Sequence, residues 1–251
     1  LLLVLFVLRV PISVSLIIVG IFGISMIRGW DAALIQLGTT PFSTASSYSL
    51  SVIPLFVLMG MFLSYSGFGN HLYHAVDSWI GHVRGGLAIT TIGTSALFSA
   101  ISGSVNATTA TMARIALPEM RKYKYDPGLS TSCVAAGGTL GILIPPSVIL
   151  VLYGILTMEP IGKLLIAGIV PGLLQMALFM IVIYVMVLRK PEIAPVTEKK
   201  PMSVKLKSLN SVWPFLLLFV ISIGGIYLGF FTPTEAGGVG AFGAFLLAVL
   251  T

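Results

Sequence analysis

"SALFSAISGSVNATTATMARIALPEM", residues 95–120, places a run of small polar residues in the middle of a very apolar chain. Between Ser102 and Thr109, the polar side chains alternate only with glycine, valine and alanine. Hydroxyl and amide groups left without partners in a bilayer are costly, by roughly 2–7 kcal/mol each. This stretch therefore either packs against other helices through its small residues or lines a functional site.

The charges that flank this stretch indicate how it is folded. No charged residue lies between Arg84 and Arg114. A straight helix of the 29 residues 85–113 would be about 44 Å long, whereas a bilayer core is about 30 Å thick. Folding at "SGSVNA" gives two arms of about 20 Å each, with the polar tip near the midplane. Because basic residues flank both ends, both ends are expected to face the cytoplasm. The pattern predicts a re-entrant hairpin.

A second unusual stretch follows, "AAGGTLGILIPPSVILVLYG", residues 135–154. Three glycines and two adjacent prolines lie in the middle of an uncharged segment. Proline removes a backbone donor and clashes with the preceding turn, so we predict a break between Gly137 and Pro146. Discontinuous helices of this kind form substrate and ion sites in secondary transporters. A structural kink is the alternative.

The composition is that of a membrane protein. Hydrophobic residues make up 57% of the chain and charged residues 9%, against about 25% charged residues in soluble domains. The net charge of +6 comes from basic residues clustered in loops, which fits cytoplasmic loops and predicts no nucleic-acid partner. No nucleophile–base set, metal cluster or phosphate loop is visible, so we expect neither an enzyme nor a cofactor. Apolar runs at both termini suggest a fragment.

The remaining segments predict an all-α polytopic membrane protein. Residues 1–27 are read as a helix tail followed by a span at about 10–27, or as one long bent helix. Residues 28–46, rich in Thr, Ser and Gly, are expected to form a loop. An amphipathic pattern predicts an interfacial helix over 68–84, and the basic segment 189–211 predicts a cytoplasmic linker. Further spans are predicted at 47–66, 164–188 and 212–231, with a last one after "FTPTEA".

Three further residue types are weighed for function. His71 and His74 lie one turn apart, but interfacial histidines are favoured over a metal site. Arg114 is expected to reach the membrane interface, with contact to an anionic substrate as the alternative. Glu235 is expected to stabilise a helix start that Thr234 caps, with gating or subunit contact as the alternative.

The hairpin tip and the helix break can supply oxygen ligands without a charged side chain. Hard cations take oxygen ligands, and Na⁺ is the natural monovalent case. The predicted Na⁺ ligands are Ser102, Ser104 and Asn106, with the backbone carbonyls of Gly138 and Gly141.

A substrate carboxylate can be bound by hydroxyl groups and by the N-termini of half-helices, which carry partial positive charge. The break and the second arm of the hairpin offer both. The predicted substrate residues are Thr108, Thr109, Pro145, Pro146 and Ser147.

Several segments together carry a family resemblance. "IPLFVLMG", "SAISGSVNATTA", "GILIPPSVILVLYG", "LLIAGIVPGLL" and "GFFTPTEAGGVGA" occur in the order seen in the large membrane subunit of TRAP (tripartite ATP-independent periplasmic) transporters. The sequence therefore resembles this DctM-like family along nearly its whole length.

The resemblance implies an inverted-repeat, elevator-type fold of the ion-transporter-superfamily kind. The first repeat would cover residues 1–188, with the hairpin at 86–116, the broken helix at 130–155 and a span at 164–188. A linker at 189–211 and the truncated start of the second repeat at 212–251 would follow.

The resemblance also implies a function. The family couples import of organic acids, such as C4-dicarboxylates and sialic acid, to a Na⁺ gradient across the bacterial or archaeal cytoplasmic membrane. Its partners are a small four-helix membrane subunit, a periplasmic substrate-binding protein, the organic-anion substrate and the lipid bilayer. Two alternatives remain: a divalent-anion/Na⁺ symporter without a binding protein, and a non-transporting membrane scaffold. The scaffold predicts no ion dependence.

Overall fold

All the regular secondary structure that the computed structural model describes, in residues 1–197 and 199–250, is helical. This confirms the predicted all-α class. The chain divides into two compact units, one of residues 1–50 and one that begins at residue 51.

The first unit contains three helices, α1 (Leu2–Val7), α2 (Ile12–Arg28) and α3 (Trp30–Ala45). The chain before residue 29 forms a short helix and then a second one, and not one long bent helix. That α2 is a span stays a prediction, since its 17 residues are fewer than those of the candidate spans described below. Helix α3 occupies the segment 28–46 that was expected to be a loop. Two of its four Ser and Thr hydroxyls donate to carbonyls of the preceding turn, Thr39 Oγ1 to Ile35 O at 2.9 Å and Ser43 Oγ to Thr40 O at 3.0 Å. Because these polar groups are satisfied inside the helix, a Ser/Thr-rich composition does not prevent helix formation here.

The second unit contains ten helices among its described residues. Short 3₁₀ turns precede α4, follow α8 and follow α10, at Tyr48–Ser51, Leu140–Ile142 and Pro191–Ile193. The helices are α4 (Val52–Tyr65), α5 (Phe68–Ile80), α6 (Gly86–Ser102), α7 (Val105–Lys122), α8 (Pro127–Thr139), α9 (Val148–Thr157), α10 (Ile161–Arg189), α11 (Met202–Asn210), α12 (Trp213–Tyr227) and α13 (Pro233–Leu250).

Three helical segments in the described residues are long and apolar enough to cross a membrane: Tyr48–Tyr65, Ile161–Arg189 and Pro233–Leu250. They coincide with the predicted spans at 47–66 and 164–188 and with the last predicted span. Helices α11 and α12 give a fourth span if the pair, bent by 50°, is taken as one. A chain with this many apolar helices is an integral membrane protein.

Helix α6 forms the centre of the second unit. Every residue of α6 except Leu97 is buried, because α4, α5, α7, α8 and α10 all pack against it. A helix whose side chains are apolar or small on every side is stable when other helices surround it. The start of the polar hairpin tip, Ser102 and Gly103, is therefore held inside the packed part of this unit.

The basic segment after α10 is folded against α5. Thr197 Oγ1 donates to the Gly81 carbonyl at 2.6 Å, and Lys200 Nζ pairs with Asp77 Oδ2 at 2.5 Å. Lys205 Nζ lies 5.5 Å from the centre of the Trp79 ring. The polar linker predicted at 189–211 is thus anchored to the predicted interfacial helix and contains a helix of its own, α11.

The start of α13 corrects one predicted contact. Thr232, not Thr234, bonds Glu235: the Thr232 N–H and Oγ1 both donate to Glu235 Oε2, at 2.8 and 2.9 Å. The Glu235 N–H donates back to Thr232 Oγ1 at 3.3 Å. This reciprocal arrangement is a capping box, which requires a spacing of three residues that Thr234 does not have.

Candidate functional site

Helices α6 and α7 form an antiparallel hairpin. Near its closed end Ser99 Oγ lies 3.2 Å from Thr108 Oγ1, and near its open end the Leu87 N–H donates to Tyr125 Oη at 3.3 Å. The turn is short: Gly103 adopts a left-handed conformation with φ +60°, and Ser104 is extended and caps α7. The chain therefore reverses direction at the polar "SGS" sequence. This lies within "SGSVNA", where the charge pattern predicted that the segment folds back. The second arm continues past residue 116 to Lys122.

The polar side chains at the turn bond mainly to one another. Thr108 Oγ1 lies 3.0 Å from Ser102 Oγ as well as 3.2 Å from Ser99 Oγ. The Ser104 N–H reaches Ser102 Oγ at 3.5 Å, and Ser104 Oγ accepts from the Ala107 N–H at 3.4 Å. Ser99, Ser102 and Thr108 are almost completely buried. Mutual hydrogen bonds let these hydroxyls remain buried at low cost.

The helix interruption lies between α8 and α9. Helix α8 ends at Thr139, tightens into the 3₁₀ turn Leu140–Ile142, and α9 starts only at Val148. Ser147 joins the two sides, since its hydroxyl donates to the Ile142 carbonyl at 2.5 Å and accepts from the Leu150 N–H at 3.3 Å. The Pro145–Pro146 peptide bond is cis.

The hairpin turn packs directly on this interruption. The Val148 N–H donates to the Gly103 carbonyl at 3.3 Å, and the Pro146 carbonyl lies so close to Gly103 that a Cβ there would overlap it. A Cβ on Gly141 would lie 3.2 Å from backbone atoms of Ser104 and Val105. A Cβ on Gly138 would overlap Thr109 Oγ1. The small residues thus bring two irregular backbone segments into contact.

The predicted Na⁺ ligands fall into three groups. Ser102 and Ser104 lie at the hairpin turn and line the same cavity. Gly138 and Gly141 are buried where the interrupted helix meets the hairpin, and the Gly138 carbonyl accepts from the Leu140 N–H. Asn106 is exposed and lies outside that cavity's lining. The ligand set stays a prediction.

The predicted substrate residues lie at the contact between hairpin and interruption. Thr108 is bonded inside the hairpin and Thr109 packs on Gly138. Pro145, Pro146 and Ser147 are buried. Their role in substrate binding stays a prediction.

A cavity of about 200 Å³ opens on the other side of the hairpin, between α4 and α7. Ser102 and Ser104 form its inner end. Ser64 on α4 and Thr111 on α7 meet across it with their hydroxyl oxygens 3.2 Å apart, and Arg114 lies at its far end. On the α4 side, Gly60 allows close approach, since a Cβ there would lie 2.7 Å from Ser102 Cα. Two of its polar residues, Ser64 and Thr111, were not predicted from the sequence.

A signal for part of this cavity was present in the sequence. Ser104, Ala107, Thr111 and Arg114 are spaced by three, four and three residues, which places them on one face of α7. Ser64 could not be paired with Thr111 from sequence, because their contact joins residues 47 positions apart.

The residues that line the cavity carry positive charge but no negative charge. Arg114 is among them, and no Asp or Glu is. Within residues 1–197 and 199–250, no carboxylate lies within 4.0 Å of the Arg114 side chain. In the same ranges no group of three or more His, Cys, Asp or Glu residues could hold a metal ion. At the open end of the hairpin, burial raises the pKa of Tyr125.

Comparison with known proteins gives one consistent family. The family model of the tripartite ATP-independent periplasmic transporter DctM component matches residues 1–251. The C4-dicarboxylate TRAP transporter large permease protein DctM of Pseudomonas aeruginosa is 43% identical over 202 residues, 80% of this chain and 46% of the relative.

Two further relatives come from Vibrio cholerae. Its C4-dicarboxylate TRAP transporter large permease protein DctM is 37% identical over 244 residues, 95% of this chain and 52% of the relative. Its sialic acid TRAP transporter large permease protein SiaM is 34% identical over 204 residues, which are 81% of this chain and 47% of the relative. The chain spans about half the length of these curated relatives.

Proposed function

Because this chain belongs to the DctM component family of tripartite ATP-independent periplasmic transporters, we propose that it is the membrane subunit of a Na⁺-coupled secondary transporter for organic acids. The family consists of transporter permease subunits and not of enzymes. One observation carries the proposal: the polar hairpin turn packs on the helix interruption, with the Val148 N–H bonded to the Gly103 carbonyl. Contact between two irregular backbone segments is how secondary transporters build ion sites at membrane depth.

The proposed coupling ion is Na⁺. Ser102 and Ser104 present hydroxyl oxygens at the turn, Gly141 lies against the backbone of Ser104 and Val105, and Gly138 lies one turn further along α7, against Thr109. Oxygen atoms of the kind that hard cations prefer are therefore available in this region. Asn106 would have to turn inward to join this set. Substrate binding would then fall to the hydroxyls of Thr108, Thr109 and Ser147, together with Pro145 and Pro146. The alternative is that these residues hold the two irregular segments in place.

The wider assembly is proposed by analogy with the family. The hairpin would enter the cytoplasmic membrane of a bacterium or archaeon without crossing it, since irregular backbone at membrane depth must be buried in protein or line a cavity. A small four-helix membrane subunit would brace the chain. A periplasmic binding protein would deliver a C4-dicarboxylate, sialic acid or a similar carboxylate, and an elevator-type movement of the hairpin would carry it inward.

Uptake by the full-length complex in proteoliposomes tests this function. With binding protein and an inward Na⁺ gradient, we expect uptake of a radiolabelled C4-dicarboxylate or sialic acid that collapses when K⁺ replaces Na⁺. Ser104→Ala should raise the Na⁺ concentration for half-maximal uptake, while the exposed Ser132→Ala serves as control. Uptake of neither solute under a Na⁺ gradient would favour the scaffold, and uptake without binding protein would favour a simple symporter.

A further inference from the structure

We propose that the cavity between α4 and α7 is a carboxylate-binding site in which Arg114 supplies the opposing charge. The inference rests on the proposed function, because it assigns the substrate's acidic group to one place in the same subunit. It concerns the far side of the hairpin from the helix interruption, and it takes up the alternative role of Arg114, contact with an anionic substrate, together with Ser64 and Thr111.

The walls of the cavity suit a small polar solute. Its volume of about 200 Å³ is several times the roughly 30 Å³ that one water molecule occupies in the liquid. Hydroxyl groups lie on both walls, Ser64 on α4 and Thr111 on α7, with their oxygens 3.2 Å apart. Either hydroxyl can rotate to donate a hydrogen bond into the cavity.

Arg114, which lines the cavity and is exposed, would give the cavity a preference for anions. It lies one turn beyond Thr111, so the two side chains are neighbours on one face of α7. The lining contains no acidic residue, and in the part of the chain that the structure describes the guanidinium has no carboxylate partner. A planar guanidinium with a free face binds a carboxylate through two parallel hydrogen bonds. Arg114, Thr111 and Ser64, which all line this cavity, would together form a clamp for one carboxylate group.

The position of the clamp links it to the ion site. Ser102 and Ser104, two of the proposed Na⁺ ligands, form the inner end of the same cavity. Ten residues of helix separate Ser104 from Arg114, a rise of about 15 Å. A bound Na⁺ and Arg114 would therefore make the two ends of the cavity positive, and a solute leaving the ion site would meet the clamp next.

Charge-selective modification of a cysteine in the cavity tests the clamp without knowledge of the natural substrate. The full-length permease complex is purified in detergent, with native cysteines replaced and Ala107→Cys introduced. An anionic reagent, 2-sulfonatoethyl methanethiosulfonate, is compared with its cationic trimethylammonioethyl analogue. We expect Arg114→Gln to lower the ratio of anionic to cationic rates by about fivefold. Acetate should slow the anionic reaction only while Arg114 is present.

The matched control is Arg121→Gln, which removes a basic residue from the same helix but outside the cavity lining. It should leave the ratio within about twofold, since exposed charges more than a Debye length away are screened. Ala110→Cys, a second lining position, guards against local distortion. A ratio unchanged by Arg114→Gln, or no reaction at either cysteine, would overturn the proposal. Na⁺-driven uptake with an unchanged ratio would reject the clamp and leave the transport function standing.

Discussion

At the scale of single residues, the absence of a side chain at Gly138 allows the hairpin and the interrupted helix to touch. A Cβ there would overlap Thr109 Oγ1, and a Cβ on Gly141 would lie 3.2 Å from the backbone of Ser104 and Val105. Packed interiors have little free volume, so one added methyl group must displace its neighbour. The two glycines therefore set how closely the turn approaches the interruption.

Gly138→Ala should destabilise the protein by about 1–3 kcal/mol through overpacking. Thr109→Ala in the same chain should recover most of that loss, because it removes the overlapping oxygen. Thermal unfolding of the purified full-length complex measures both variants and the pair. Gly20→Ala is the control, since a Cβ at Gly20 meets nothing within 4 Å. If the change in stability of the double variant equalled the sum of the two single changes, Gly138 and Thr109 would not be in the contact described here.

At the scale of elements, Ser147 determines where α9 begins. Its hydroxyl accepts from the Leu150 N–H and donates to the Ile142 carbonyl, so one side chain satisfies a backbone group on each side of the interruption. The first N–H groups of a helix lack partners within the helix. A capping serine therefore lets α9 start inside the protein without water.

Replacing Ser147 by alanine should cost about 1–2 kcal/mol, the loss of a helix cap, and should lower the thermal unfolding midpoint. Ser132→Ala, at an exposed position on α8, is the control and should lie close to wild type. The comparison separates the two hydrogen bonds of Ser147 from the general effect of removing a serine hydroxyl. Equal midpoints for Ser147→Ala and wild type would show that the cap does not hold the interruption together.

Sequence patterns located the irregular backbone well and the side-chain partners poorly. The glycine, proline and charge patterns gave the turn at Gly103 and the interruption before Val148, because these residues act on their own backbone. The helical state of α3 was missed, since the back-bonding of Thr39 to Ile35 is not visible from composition. The Ser64–Thr111 contact was missed because it depends on how α4 packs on α7.

At the scale of the whole molecule, the second unit surrounds a polar centre with apolar helices. Helix α6 is buried along its length, α4 packs on α13, and the basic segment after α10 is tied to α5 through the Lys200–Asp77 pair. Ser102, a Na⁺ ligand proposed at the turn, is buried in this packed body, and Ser104 is half-buried beside it. Ion binding at such a place should stabilise the whole unit by mass action.

Thermal unfolding of the full-length complex in NaCl and in KCl of equal ionic strength tests the Na⁺ site at the hairpin turn most directly, because it requires no substrate. We predict that Na⁺, but not K⁺, raises the unfolding midpoint of the wild type and of the control Ser132→Ala. Ser104→Ala should lose most of that rise, because one of the proposed ligands is gone. An equal Na⁺-specific rise in Ser104→Ala, or no rise in the wild type, would contradict a Na⁺ site at this turn.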